Sequence, residues 1–218
     1  MKTVAVKNYS NLVFDLGAVL IDWNPRYLYN KIFATAAETD FFLSHVCTSA
    51  WNEEQDGGRS LQEATEMLVD KFPKFEAEIR AYYGRWKEML GGPIEETVDI
   101  LRELKESNQY KLYALTNWSN ETFPLALLNY PFLQWFDGIV VSGREKIRKP
   151  DAAFYNLLIN RYELDASSTL FIDDNERNIR GAAVCGIDGI HFTSATQLKA
   201  ILKEKEILPG SLLHSHTF

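Results

Sequence analysis

Asn11-Leu12-Val13-Phe14-Asp15-Leu16-Gly17 is an apolar run that stops at a carboxylate. A second run of the same kind, Thr169-Leu170-Phe171-Ile172-Asp173-Asp174, stops at a carboxylate pair. Short apolar runs bounded in this way read as buried strands of a parallel sheet. In open α/β sheets the carboxyl ends of the strands are where sites are built. Three carboxylates converging on that edge would repel one another, and a divalent cation is the simplest remedy, because hard cations take oxygen ligands. The two runs together point to a metal-assisted enzyme.

Outward from these runs, helix and strand alternate from about residue 93 onward. Pro93-Ile94-Glu95-Glu96 opens an expected helix with Pro93 in its first turn and Ile94, Val98, Leu101 and Leu104 on one face. Strands are expected over 110–115, 138–142, 169–172 and 189–192, and helices over 152–161, 176–185 and 195–205. Such alternation predicts a Rossmann-like α/β fold, a parallel sheet with helices on both faces. Residues 24–90 differ. Stretches 26–33, 39–45, 61–72 and 75–89 have helical spacing, Asn24-Pro25 is a helix start, and Gly57-Gly58 and Gly91-Gly92 punctuate. The expected layout is therefore a core of 1–23 and 91–210, a helical insert of 24–90, and a frayed tail of 211–218 whose His214 and His216 read as solvated.

The chain has 218 residues, a net charge of −7 and a pI of about 5.2. An acidic balance argues against non-specific nucleic-acid binding, which needs a basic face. Two cysteines, Cys47 and Cys185, lie far apart and read as free thiols of a reducing compartment. No stretch reaches the roughly 18 apolar residues of a membrane span, and Met1 to Asn8 lacks a signal-peptide core. The expectation is a cytoplasmic protein with no membrane partner, acting as a monomer or a homodimer.

Two further stretches carry chemistry. Leu115-Thr116-Asn117 ends a strand in a hydroxyl and an amide ahead of Trp118-Ser119-Asn120. Backbone N–H groups at such a turn can hold an anion, although a plain turn or N-cap reads as well. Arg148-Lys149-Pro150-Asp151 places a lysine just before a helix. With Lys146 and Arg148 it crowds positive charge in an acidic chain.

In this order and at these intervals the elements resemble the haloacid dehalogenase superfamily of phosphotransferases and hydrolases. The motifs are Val13-Phe14-Asp15-Leu16-Gly17-Ala18-Val19, Leu115-Thr116-Asn117, Lys149-Pro150 and Phe171-Ile172-Asp173-Asp174-Asn175. The resemblance covers essentially the whole chain, with the helical insert where this family places a C1-type cap. It implies Asp15 as nucleophile and Mg²⁺ held by the Asp15 and Asp174 carboxylates and the Gly17 carbonyl. Asp173 would act from behind these ligands or through water. Thr116, Asn117 and Lys149 would hold the phosphoryl oxygens of a small phosphorylated substrate. Asp15 attack on phosphorus would split one hard step into two, with the cation and Lys149 relieving the repulsion between carboxylate and phosphate.

One position departs from the family pattern. Most of its phosphatases carry an acid/base aspartate two residues after the nucleophile, and here that residue is Gly17. Positioned acid–base catalysis is typically worth ~10²–10⁴-fold. Some sugar-phosphate phosphatases of the family, including bacterial α-glucose-1-phosphatases, also read Asp-Leu-Gly. Dehalogenases lack the second aspartate too, but they need no metal and do not keep an acidic pair at the fourth motif. The expected reaction is Mg²⁺-dependent hydrolysis of a small phosphomonoester, a sugar phosphate by resemblance, through an aspartyl phosphate. The alternatives are a 2-haloacid dehalogenase using the same aspartate, or a phosphate-binding homologue that turns over weakly. Asp22, Trp23 and Arg26 are candidate substrate contacts, with Asp22 a candidate for the missing proton donor. Trp51, Trp86, Tyr82 and Tyr83 read as the core of the insert.

Overall fold

A computed structural model describes residues 7–209, so the expectations for the first six residues, for the tail and for His214 and His216 lie outside the described residues. The chain runs β1 (Asn11–Phe14), β2 (Ile21–Trp23), five helices, α1 (Arg26–Ile32), α2 (Ala36–His45), α3 (Ser49–Asp56), α4 (Leu61–Lys71) and α5 (Glu76–Gly84), and then β3 (Leu90–Pro93). It continues through α6 (Glu95–Ser107), β4 (Lys111–Thr116), α7 (Phe123–Asn129), β5 (Gly138–Val141), α8 (Ser142–Glu145), α9 (Ala152–Tyr162), β6 (Thr169–Asp173), α10 (Glu176–Val184), β7 (Asp188–His191) and α11 (Ala195–Glu204).

Five strands form one parallel sheet in the order β5-β4-β1-β6-β7. The central strand β1 is buried along its length. Its alternation sorts side chains between two cores. Leu12 and Phe14 pack with Leu101, Leu104, Leu198 and Leu202, whereas Val13 packs with Phe154, Tyr155, Leu158 and Ala182. Helices therefore cover both faces, as the alternating sequence predicts. Register fixes the site: Phe14 lies opposite Ala114 on one side and Ile172 on the other. The residues that follow, Asp15 and Asp173, thus reach the same edge.

The structure corrects the reading of two segments. Ile21–Trp23 and Leu90–Pro93, for which no strand is expected from the sequence, form an antiparallel two-stranded ribbon. Pro93 ends β3, and α6 begins at Glu95. The ribbon explains the paired glycines. A side chain on Gly91 would run into Asp22 Oδ2, and Gly92 sits at φ +108°, a region that favours glycine. Helix α3 is not among the expected helices, because its sequence Ser-Ala-Trp-Asn-Glu-Glu-Gln-Asp has little apolar periodicity. It forms with Thr48 as cap, whose side chain accepts the Trp51 N–H, and it stops at Gly57-Gly58, where Gly58 adopts φ +100°.

Candidate active site

Strand β1 delivers Asp15 to the carboxyl edge of the sheet, where its N–H bonds Ile172 O at 2.8 Å. The chain then turns tightly: the N–H groups of Leu20 and Ile21 both reach Leu16 O at 2.9 Å, and Ala18 takes φ +57°. Asp15 is left almost wholly buried, 8% exposed. Its Oδ1 accepts the Leu16 N–H at 2.7 Å and lies 3.0 Å from Lys149 Nζ. Oδ2 is left without a donor among the described residues.

Lys149 is fully buried, an uncommon position for lysine unless it is paired. Its Nζ is 2.7 Å from Asp173 Oδ2, so it bridges Asp15 and Asp173. Asp173 is equally buried and saturated with donors: Asn175 N–H at 2.8 Å and Asn178 Nδ2 at 3.0 and 3.1 Å, besides Lys149. It anchors Lys149 and has little left for a ligand. Burial works to lower the Lys149 pKa, but Asp15 and Asp173 outweigh it and hold the ammonium charged. Burial pushes the Asp15 carboxyl up to about 7, with Asp173 and Asp174 adding to the rise and Lys149 opposing it. Asp174 is raised for the same reasons, burial first and then Asp173.

One cation facing three carboxylates is an incomplete balance. Asp15, Asp173 and Asp174 each offer an oxygen, all within 4.8 Å of one another. The carboxylates of Asp15 and Asp174 fit a hard divalent ion, as oxygen-only donor sets do.

The neighbouring strand ends complete the edge. Thr116 is fully buried and its Oγ1 has no partner, an unusual state for a buried hydroxyl that a phosphoryl oxygen would relieve. Asn117 does something the sequence did not disclose. Its Oδ1 accepts the Lys149 N–H at 2.9 Å and its Nδ2 donates to Lys149 O at 3.1 Å, so the amide braces the backbone of the buried lysine. Trp118 N–H donates to Ser142 Oγ at 3.0 Å, and Gly143 packs under the same loop. A methyl on Gly143 would come within 2.4 Å of Asn120 N and 2.8 Å of Trp118 O, both backbone atoms. Gly143→Ala is therefore expected to cost about 1–3 kcal/mol through overpacking. Thermal unfolding checks this, and an unchanged midpoint would contradict it.

Beside this edge lies a cavity of about 90 Å³ lined by Gly17, Trp23, Asn52, Asp56, Trp86, Asn117 and Trp118. The Trp23 and Trp86 rings stand 5.7 Å apart, and both indole N–H groups are buried without a partner. Of the candidate substrate contacts, only Trp23 lines the cavity. Asp22 instead accepts the Tyr27 hydroxyl at 2.6 Å and lies against Gly91 in the ribbon. Arg26 pairs with Asp40 on the helical surface at 2.5 Å. Asn52 and Asp56 line the cavity too, without any motif in the sequence to mark them. Their spacing of four places them on one face of α3, a face that exists only once the weakly periodic segment is helical. Trp86, read as insert core, reaches the cavity as well.

The sequence matches the model of the haloacid dehalogenase-like hydrolases over residues 9–186. The chain belongs to this family. The hydrolase is 28% identical over 186 residues to the sesquiterpene phosphatase astK of Aspergillus oryzae, covering 84% of this chain and 89% of that one. A HAD family enzyme of Bacteroides thetaiotaomicron superposes with a TM-score of 0.70 at 22% identity, over 90% of this chain and 99% of that chain. The same enzyme in complex with magnesium and inorganic phosphate gives 0.65 at 24% identity, over 85% and 95% of the two chains. These structures share the fold. No helix among the described residues of the hydrolase is long and apolar enough to cross a membrane.

Proposed function

We propose that this hydrolase cleaves a small phosphomonoester through an aspartyl phosphate at Asp15, with Mg²⁺ as cofactor. The observation that carries the reading is the buried Lys149 bridging Asp15 and Asp173 beside Asp174. That arrangement leaves one carboxylate oxygen unengaged next to an uncompensated negative cluster. Bound by Asp15, Asp174 and the Gly17 carbonyl, a divalent cation would neutralise charge on the phosphoryl oxygens and polarise the phosphorus. Asp15 Oδ2 is the attacking atom, since Oδ1 is fixed by Leu16 and Lys149. Lys149 faces the phosphoryl charge as it approaches Asp15. Thr116 Oγ1 holds one phosphoryl oxygen, Asn117 keeps Lys149 aimed, and Asp173 keeps it charged. Because these groups are already fixed by the fold, little reorganisation accompanies charge development.

In this reading residues 1–23 and 91–210 form the catalytic core and residues 24–90 a C1-type cap that closes over the substrate's alcohol. Two unpartnered indole N–H groups beside aromatic faces favour an alcohol with both an apolar face and acceptor oxygens, as a sugar has.

A panel of phosphorylated metabolites assayed for phosphate release with Mg²⁺ tests the function. Removal of metal with EDTA is expected to lower the rate by ~100-fold or more, since Lewis-acid stabilisation supplies several kcal/mol, and added Mg²⁺ is expected to restore it. Release of halide from a 2-haloacid, indifferent to EDTA, would replace this reading with the dehalogenase one.

A further inference from the structure

A hydrogen has replaced the usual carboxylate side chain at position 17. A Cβ built on Gly17 would meet nothing within 4 Å, so the space where a proton donor would stand is open. The leaving alkoxide of an ordinary alcohol still needs a proton, and a later water still needs a base.

Another carboxylate borders that space. Asp56, the last residue of α3, lines the same cavity as Gly17 and Asn117. It is held from several sides. Asn52 Nδ2 donates to its Oδ2 at 3.2 Å, and Asn52 is itself oriented by the Tyr83 hydroxyl at 2.9 Å, which accepts from Gln55 Nε2 at 3.0 Å. The Asp56 carbonyl accepts from Ser142 Oγ at 2.5 Å, the hydroxyl that also receives the Trp118 N–H. The same end of α3 is clamped to the core by Arg148, which donates to Glu53 O at 2.7 Å and pairs with Glu54 at 2.9 Å, and by Arg177, which pairs with Glu53 at 3.1 Å.

The nearby cations are engaged elsewhere, Arg148 with Glu53 and Glu54, and Lys149 with Asp15 and Asp173. Asp56 has no ion pair among the described residues. Burial pushes its carboxyl up to about 7, Glu53 adds to the rise, and Arg148, the Ser119 backbone and Lys149 oppose it. A carboxyl poised there can both give and take a proton near neutrality.

We propose that Asp56, supplied by the helical segment rather than by the nucleophile loop, performs the proton transfers that Gly17 cannot. The proposal rests on Asp15 being the nucleophile. In the first step Asp15 Oδ2 bonds to phosphorus, the ester P–O bond breaks, and the Asp56 carboxylic proton passes to the departing oxygen to give the free alcohol. In the second, the Asp56 carboxylate takes a proton from water as its oxygen bonds to phosphorus. The Asp15–phosphorus bond breaks, inorganic phosphate leaves, and both carboxyl groups return to their starting states.

The test uses two esters of unequal leaving group, dinitrophenyl phosphate and phenyl phosphate, with full-length protein and Mg²⁺. Asp56→Asn is expected to release one equivalent of dinitrophenolate per enzyme at close to the wild-type rate and then stall, because formation of the phosphoenzyme needs no acid but its hydrolysis needs a base. With phenyl phosphate the first turnover itself is expected to slow by ~10²–10⁴-fold. Adding Gly17→Asp to Asp56→Asn is expected to restore turnover of both esters. In the wild-type protein, the ratio of first-turnover rates, phenyl over dinitrophenyl, is expected to fall by about tenfold per pH unit above neutrality as the acid form is depleted. That measurement needs no variant to fold. Equal loss of both first turnovers in a folded Asp56→Asn protein, wild-type turnover of phenyl phosphate by that variant, or a pH-independent ratio would each overturn the proposal. Failure of the underlying reading looks different: an undiminished dinitrophenolate burst from Asp15→Asn removes the nucleophile assignment, whatever Asp56 does.

Discussion

Asp15→Asn is expected to lower kcat for phosphate release by about 10⁴-fold or more, the range seen when an enzyme's nucleophile is removed. The substitution keeps the volume at the end of β1 and keeps an oxygen for the Leu16 N–H. It removes the charge and the attacking lone pair of Oδ2. Lys149 retains Asp173, 2.7 Å away, so the buried ammonium is not stranded and the protein is expected to fold. Activity loss with a preserved near-ultraviolet spectrum is therefore the expected combination. An Asp15→Asn protein that hydrolyses phosphate esters at more than a tenth of the wild-type rate would show that the nucleophile has been placed wrongly.

Lys149→Met has the largest expected effect on stability. It removes the cation that bridges two buried carboxylates and leaves Asp15 and Asp173 facing one another. Breaking a buried pair on one side costs about 3–5 kcal/mol. For a chain of this size each kcal/mol moves the midpoint by about 2–4 °C, so a fall of roughly 6–20 °C is expected. The deficit should depend on pH. A carboxyl whose folded pKa is raised binds its proton more tightly in the folded state than in the unfolded chain. The charge penalty of Asp15 is therefore absent below the ordinary range near 4 and complete above its raised pKa of about 7. Losing Lys149 raises that pKa further, so the deficit should be small at pH 4 and grow toward pH 8. Thermal scans across that range check this, and a deficit independent of pH would contradict the pairing.

The sheet and its carboxyl edge were legible because burial on both faces forces long apolar runs. Leu12 to Phe14 and Leu170 to Ile172 could be read as central strands with carboxylates after them for that reason alone. The register that brings Asp15 level with Asp173 follows from the parallel pairing of the two strands. The β2–β3 ribbon was not legible, since its partners lie about 70 residues apart in sequence and its glycines serve close approach rather than turn-making. Helix α3 was hidden by polarity. Its Asn52, Gln55 and Asp56 look like a solvated face, yet they face Tyr83 and the cavity. Local pattern records what an isolated segment prefers and not which polar residues another segment will bury. Asn117 illustrates the same point within a recognised motif, because its amide braces Lys149 across 32 residues of sequence.

The proposed reaction passes through a covalent intermediate on Asp15. Rapid acid quench during turnover of dinitrophenyl phosphate, followed by borohydride reduction and peptide mass spectrometry, tests it most directly. An acyl phosphate on Asp15 is reduced to homoserine at that position, and this conversion should appear in protein quenched with substrate and be absent without it. Product formation with Asp15 unmodified, or with homoserine found in place of Asp173, Asp174 or Asp56, would contradict the account.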